Sequence, residues 1–437
     1  MAKTIELYNL LGQVQSYISQ NFTAAIGDDD KRTQLKYYIE QFIRDNGFTV
    51  EGIPDKDVID RLYSEMAEYS ILTKHLSDSA IEEVNINGWD DIAITYRDGR
   101  IEKTDEHFFS PRHATDIVKR LLHHSGMIID NATPIAQGHL PGNIRVTALK
   151  DPIVDENRGI SVSIRMLHTQ SVDRQYLLDT GALTEEMMSF LETCLRYGVS
   201  FVIAGRTSSG KTTLLNTLLG SVPDGKRIYT IESGARELDL VKRDKDGKVI
   251  NNVVQTLSRP SDNPIYDVTQ DSLVRTALRF TPDVICIGEM RDNEAHDAVE
   301  ASSTDHTVIT SVHGAGGRYA HMRIAFLCQR RFPIDISISI RQAAIAFPIV
   351  VFAHRLEDNS RKIMDITECV VHDDGELEYR VLYRYNIIGN EEVDGKVRIY
   401  GYFEKVNAPS DSLCDKLIRG GVPQDLLNKF TSGGDDK

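Results

Sequence analysis

The sequence predicts an α/β fold on a mostly parallel sheet, preceded by a small α+β domain and an N-terminal helical region. Three observations carry this. From Val199 onward, four apolar runs of strand length follow one another: "SFVIAG", "RIYTIE", "DVICIGE" and "TVITSVHG". Each is separated from the next by enough chain for a crossover helix, as expected for parallel strands covered on both faces. Between the first run and the helical "TTLLNTLLG" lies "AGRTSSGKTT", residues 204 to 213, a glycine-framed loop at a strand-to-helix junction.

The elements before this core read as follows. "IELYNLLGQVQSYI" and "TQLKYYIEQFIRDN" have helical periodicity and are separated by Gly27 and the Asp28–Asp30 run. "DKDVIDRLYSEMAEYSILTKHL" is a third helical pattern, with Pro54 just ahead of it. The region to residue 77 therefore reads as a small helical bundle. From 78 to 168 the grammar changes to α+β. "EEVNINGWDDIAITYRDGRIEKT" carries two hairpin dipeptides, Asn87-Gly88 and Asp98-Gly99. A helix follows in "PRHATDIVKRLLHHSGM", then strands in "NIRVTALK" and "GISVSIRML". Asp179 to Gly198 reads as helix, with Thr184-Glu185-Glu186 as its cap. The α/β core spans 169 to 386. Within it "IAFPIVVFAHRLED" adds a strand, and Pro348 points to an edge or a bulge. Residues 387 to 437 form an extension of short strands ("VRIYGYFEKV"), a terminal helix and a disordered "TSGGDDK" end.

Composition narrows the function classes. The 437 residues suffice for about three domains. The formal net charge of -15 repels phosphate backbones, which counts against a nucleic-acid motor. The five cysteines have no CxxC spacing, so they signal neither zinc knuckle nor redox motif, and Cys286 reads as a buried hydrophobe in a reducing compartment. The amino terminus lacks the features of a secretory signal. The longest apolar run, "AAIAFPIVVFA", is far short of the ~18 residues of a membrane span. These readings predict a cytoplasmic protein that meets a membrane only through partners.

The chemistry begins in the loop. Gly205, Arg206, Thr207, Ser208, Ser209, Gly210, Lys211 and Thr212 match G-x-x-x-x-G-K-[ST], and Thr213 continues into the helix. Following a strand and opening a helix, this pattern is a P-loop. Its glycines let backbone N–H groups converge on phosphate oxygens, and the helix N-terminus adds partial positive charge. Lys211 is suited to the β- and γ-phosphates of ATP, and the Thr212 hydroxyl to Mg²⁺. The plainer alternative, a glycine-rich turn with a stray lysine, does not account for the strand before and the helix after. "DVICIGEMRD" delivers Glu289 to the carboxyl end of its strand, where ligands collect in open α/β sheets; it would hold Mg²⁺ directly or through water. Glu232 ends "RIYTIE", with Glu237 shortly after, and His313 ends the fourth run. A neutral imidazole there can hydrogen-bond a γ-phosphate or an attacking water.

These pieces, in this order, resemble the secretion or traffic ATPases of type II and type IV secretion. The chain looks most like the Tad/Flp-pilus assembly ATPases, which are close to the conjugative type IV secretion ATPases. The family's Walker A appears as "GRTSSGKTTLLNTLL", its Asp box as "RIYTIESGARELDL", its Walker B as "LVRTALRFTPDVICIGEMRDNEA" and its His box as "TDHTVITSVHGAG". The similarity extends from about residue 60 to about 385. It implies a RecA-like ATPase core behind a PAS-like domain, with ATP and Mg²⁺ as cofactors. It also implies Glu289 as the Walker B acid, Glu232 and Glu237 as Asp-box acids, the former helping to activate water, and His306 and His313 as His-box histidines. Arg145 and Arg165 correspond to N-domain arginines that reach toward nucleotide phosphates. Partners implied are further copies of the chain, as a hexameric ring, and an integral membrane platform protein of a pilus or secretion machine. Three positions depart from the pattern. Ser233 stands where a second acid is usual, one extra residue separates Glu232 from Glu237, and Asp305 replaces a common glycine before His306.

The leading expectation is therefore a Mg²⁺-ATPase motor at the inner face of the cell membrane. A RecA-like nucleic-acid translocase or helicase is the alternative, and its only candidate tract is "RYAHMR" with "QRRF", which also reads as a solvated helix face. A nucleotide-binding scaffold with little turnover is a third reading, which the Ser233 departure keeps open.

Overall fold

A computed structural model describes residues 3–21, 32–142, 144–166, 173–259, 264–393 and 395–432. The spacer at Gly27–Asp30 and the last five residues of the "TSGGDDK" end lie outside the described residues. The chain divides into two compact units, Met1–His168 and Thr169–Lys437.

In the first unit, β1 (Lys3–Thr4) and β2 (Phe48–Thr49) form a short parallel pair beside α1 (Leu7–Asn21), α2 (Arg32–Asn46) and α3 (Asp55–Ala67). Leu10, Val14, Ile18, Leu35, Ile39, Val58 and Leu62 recur at helical spacing and form one buried core. The third helical pattern is not continuous. It breaks after α3 and resumes as α4 (Leu72–Ser77), because Ser70 adopts a left-handed φ of 56° and its carbonyl accepts from the Ser64 hydroxyl.

The rest of the unit is a six-stranded antiparallel sheet of β3 (Ile81–Gly88), β4 (Asp91–Tyr96), β5 (Ile101–Lys103), β6 (Ile135–Leu140), β7 (Ile144–Lys150) and β8 (Ile160–Met166), in the order β5-β4-β3-β8-β7-β6. Helix α5 (Pro111–His123), capped by Ser110, packs on one face against Val84, Val146, Val162 and Ile164. The Asp98-Gly99 turn forms as expected, with Gly99 at φ 84°. The first hairpin instead turns at Trp89-Asp90, two residues later than the sequence suggested. Gly88 makes room for a neighbour instead, since a Cβ there would stand 2.7 Å from the Arg158 guanidinium.

The second unit opens with α6 (Arg174–Asp179) and α7 (Glu185–Arg196), the latter starting only at the Thr184 cap because Gly181 turns the chain with φ 61°. The P-loop strand β9 (Phe201–Gly205) leads into α8 (Lys211–Gly220). β10 (Arg227–Glu232), β11 (Asn252–Leu257), α9 (Gln270–Ala277), β12 (Val284–Ile287), α10 (Glu294–Ser303) and β13 (Thr307–Val312) follow. The four apolar runs all become mutually parallel strands, and β11 adds a parallel edge strand that the sequence did not signal. Along β9, Phe201 and Ile203 face one buried core while Val202 and Ala204 face the other, so both faces are covered.

After α11 (Gly317–Gln329) and α12 (Ile336–Ala346), β14 (Ile349–Arg355) pairs parallel to β9. It is not an edge, because β15 (Arg361–Val371) closes its other side. Pro348 is tolerated because it stands just ahead of the strand, where no ladder N–H is needed. β16 (Leu377–Val393) and β17 (Lys396–Lys405) are not short; they extend the sheet antiparallel to nine strands, and position 386/387 falls inside β16. Helices α13 (Asp411–Arg419) and α14 (Gln424–Thr431) return to the core through Leu413, Leu417 and Phe430.

Candidate nucleotide site at the carboxyl edge of the sheet

The phosphate loop is shaped by close packing. Gly205 lies against β14, where a Cβ would stand 2.4 Å from the Ala353 carbonyl and 2.5 Å from Ser209 Oγ. Gly210 enters α8 at φ 92°, a left-handed conformation natural to glycine. Ser208 adopts φ 62° despite its side chain. Lys211 is buried, and its ammonium donates to the carbonyls of Gly205 (3.0 Å) and Arg206 (2.8 Å), so the cation is held at the mouth of the loop it would serve. Ser209 Oγ is buried without a hydrogen-bond partner among the described residues. An unpartnered hydroxyl, a held cation and a helix N-terminus suit a phosphate.

The acids arrive on neighbouring strands. Past β12 the Gly288 N–H donates to the Ile231 carbonyl (2.9 Å), and the Met290 N–H donates to the Ser311 carbonyl (2.9 Å). This pins Glu289 between β10 and β13. Its carboxylate faces His313 Nε2 at 2.8 Å and accepts from Arg291 at 2.6 Å. Burial pushes its pKa up, but Arg291, His313 and Lys211 outweigh that and hold it below the usual carboxylate range. His313 is held below the ordinary imidazole range by burial, against the pull of Glu289.

Glu232 is the opposite case. Only 3% exposed, it accepts from the backbone N–H groups of Glu237 (2.6 Å) and Leu238 (3.0 Å) through Oε1, while Oε2 is buried without a partner. Burial pushes its pKa up to about 7, the two N–H donors only partly opposing. Two carboxylates on adjacent strands are thus driven apart, one permanently ionised and one titrating near neutrality. Such splitting marks acid–base sites.

The structure does not bring every expected residue here. His306 precedes β13 at its amino end, the opposite edge of the sheet from Lys211, and its carbonyl accepts from the Ser200 hydroxyl at 3.3 Å. Asp305 beside it has φ 69°, a left-handed conformation that glycine adopts most readily. Glu237 meets the site through its backbone N–H. In the first unit, Arg145 and Arg165 stand directly opposite each other on β7 and β8, and Arg165 reaches Glu82 at 3.6 Å. Like charges in cross-strand register are unfavourable without an anion between or beside them. The basic "QRRF" tract is not simply a solvated face: Arg331 pairs with Asp297 (2.7 Å) and Asp271 (3.4 Å), and Arg330 with Asp292 (3.1 Å). Arg331 is engaged within the fold, while the Arg330–Asp292 pair is about half exposed, as on a solvated face. Two residues were not foreseen. Arg291 carried a readable signal, two positions past Glu289 on the same strand end. Arg361, whose Nε donates to the Ser208 carbonyl of the loop (3.1 Å), carried none.

The model of the type II/IV secretion system proteins matches residues 65–367. The chain belongs to that family. Among curated relatives of this chain, an uncharacterised protein of Methanocaldococcus jannaschii is 28% identical over 56% of this chain and 43% of its own. The type IV secretion system protein PtlH of Bordetella pertussis is 31% identical over 40% of this chain and 52% of its own. A putative conjugal transfer protein of Mycobacterium tuberculosis is 28% identical over 56% and 68%. The chain thus spans about half the length of the first curated relatives it matches. Of solved structures, the VirB11 ATPase of Brucella suis aligns with 68% of this chain and 95% of its own, at 23% identity and a TM-score of 0.36. The Legionella pneumophila ATPase DotB aligns with 82% and 84%, at 17% identity and a TM-score of 0.46. The RecA-like core expected of the family agrees with the parallel order β10-β12-β13-β9 around the P-loop strand. Among the described residues, no helix is long and apolar enough to cross a membrane.

Proposed function

We propose that this secretion-family chain is a Mg²⁺-dependent ATP hydrolase and motor, working as a hexameric ring to energise pilus assembly, of the Tad/Flp kind, or type II/IV secretion. It would act at the cytoplasmic face of a membrane through an integral platform protein. The observation that carries the catalytic reading is the split pair of Glu232 and Glu289 beside the P-loop. The names of PtlH and of the conjugal transfer relative support the secretion setting.

In this reading Lys211 leaves the Gly205 and Arg206 carbonyls for the β- and γ-phosphates, and backbone N–H groups at the start of α8 take the remaining oxygens. Thr212 and Glu289 would hold Mg²⁺, which supplies charge neutralisation at the phosphates. Glu232 takes a proton from the attacking water at its unpartnered Oε2. His313, with Nε2 2.8 Å from Glu289 Oε1, confines that carboxylate and keeps it oriented. Arg145 and Arg165 serve as phosphate ligands whose engagement couples nucleotide state to domain motion, a role suited to guanidinium forks.

The test is turnover by the purified full chain. MgATP should be hydrolysed to ADP and phosphate, chelation of Mg²⁺ should stop the reaction, and DNA should leave the rate unchanged. Tight nucleotide binding without turnover would contradict the enzyme reading in favour of a scaffold. DNA stimulation that fades steeply with salt would point to a translocase.

A further inference from the structure

The phosphate loop touches a third basic residue besides Lys211 and its own Arg206. Because β14 lies parallel to β9 with Ala353 opposite Gly205, the turn joining β14 to β15 projects past the same sheet edge as the loop. The first residue of β15 is Arg361. Its Nε donates to the Ser208 carbonyl at 3.1 Å, and its aliphatic stem lies over Gly210, where a Cβ would sit 3.4 Å from Arg361 Cδ. Ser208 is the loop residue that adopts φ 62° despite its side chain, so the guanidinium ties down a carbonyl in the strained part of the loop. Neither terminal nitrogen of Arg361 makes a hydrogen bond to a described residue, and the side chain is only partly buried. The next residue, Lys362, is committed elsewhere, to the Thr180 and Gly181 carbonyls.

We infer that Arg361 is a nucleotide-binding residue: it fixes the loop through Ser208 and offers its two terminal N–H groups to the phosphates of a bound nucleoside di- or triphosphate. The inference rests on the P-loop being the nucleotide site. Chemistry favours it over a purely structural tie. One N–H would suffice to hold a carbonyl, whereas a partly buried fork beside a phosphate loop retains donors and charge that a phosphate can use.

The test is MgADP affinity of the full chain, by calorimetry, together with thermal melts in the absence of nucleotide. Arg361→Gln keeps an amide donor for Ser208 and removes the charge. It should bind MgADP at least about tenfold more weakly, with a nucleotide-free melting temperature close to that of the unaltered chain. Arg361→Lys keeps charge without the fork and should fall about threefold or more; it carries the test should the Gln variant not fold. Wild-type MgADP affinity in either variant, with binding lost in Lys211→Ala, would overturn the role of Arg361 alone. Normal affinity in Lys211→Ala as well would instead overturn the P-loop reading on which it rests.

Discussion

Lys211→Ala is expected to abolish ATP hydrolysis and to weaken ATP binding by one to two orders of magnitude. Lys211 is buried at the base of α8, with its ammonium within the loop rather than in solvent. Removing it deletes charge-assisted hydrogen bonds worth about 1.5–3 kcal/mol each. It also releases the Gly205 and Arg206 carbonyls from the donor that satisfies them. The loss should appear in affinity and in turnover together, because the same cation holds the phosphates before and during transfer. Calorimetry and a phosphate-release assay measure the two separately. Near-normal turnover would mean that the loop is only a turn.

Glu289→Gln should separate what Lys211→Ala merges. The amide keeps the side chain's shape between β10 and β13 but removes the charge that faces His313 and Arg291. MgATP binding should survive while single-turnover hydrolysis falls about 10²-fold or more. The Arg291 guanidinium is 48% exposed, so losing that ion pair should move the melting temperature little. A variant that bound nucleotide poorly yet kept normal single-turnover chemistry would make Glu289 a structural carboxylate.

Much of the core was readable because parallel strands buried on both faces must be continuously apolar, and a P-loop must sit between strand and helix. Those two constraints alone placed Lys211, Glu232, Glu289 and His313 on one edge. What escaped depended on contacts distant in sequence. β11 is an edge strand with half-buried side chains, so it lacks the apolar signature. Arg361 meets Ser208 across 153 positions, and only the pairing of β14 with β9 brings them together. Pro348 misled as to an edge, because proline's restriction applies to the residue that must donate and the strand begins one residue later; the bulge it equally allowed has a counterpart in the register shift of β14 at Phe352/Ala353. His306 misled in another way: its motif places it near His313 in sequence, but the length of β13 carries the two to opposite edges of the sheet. The division of labour between the acids was also invisible, since it depends on how deeply Glu232 is buried while Glu289 has Arg291 and Lys211 near it.

The most direct test of the central claim is the pH dependence of single-turnover ATP hydrolysis in the unaltered chain and in Glu232→Gln. Burial holds the Glu232 carboxyl at a pKa of about 7, so below that pH it is protonated and cannot accept a proton from water. The rate of the unaltered chain should fall about tenfold per pH unit below neutrality and level off above it. In Glu232→Gln the rate should be at least about 10²-fold lower and flat through the same range. A profile in the unaltered chain that is flat through neutrality, or a Gln variant that keeps the same acid limb, would contradict Glu232 as the group that activates water.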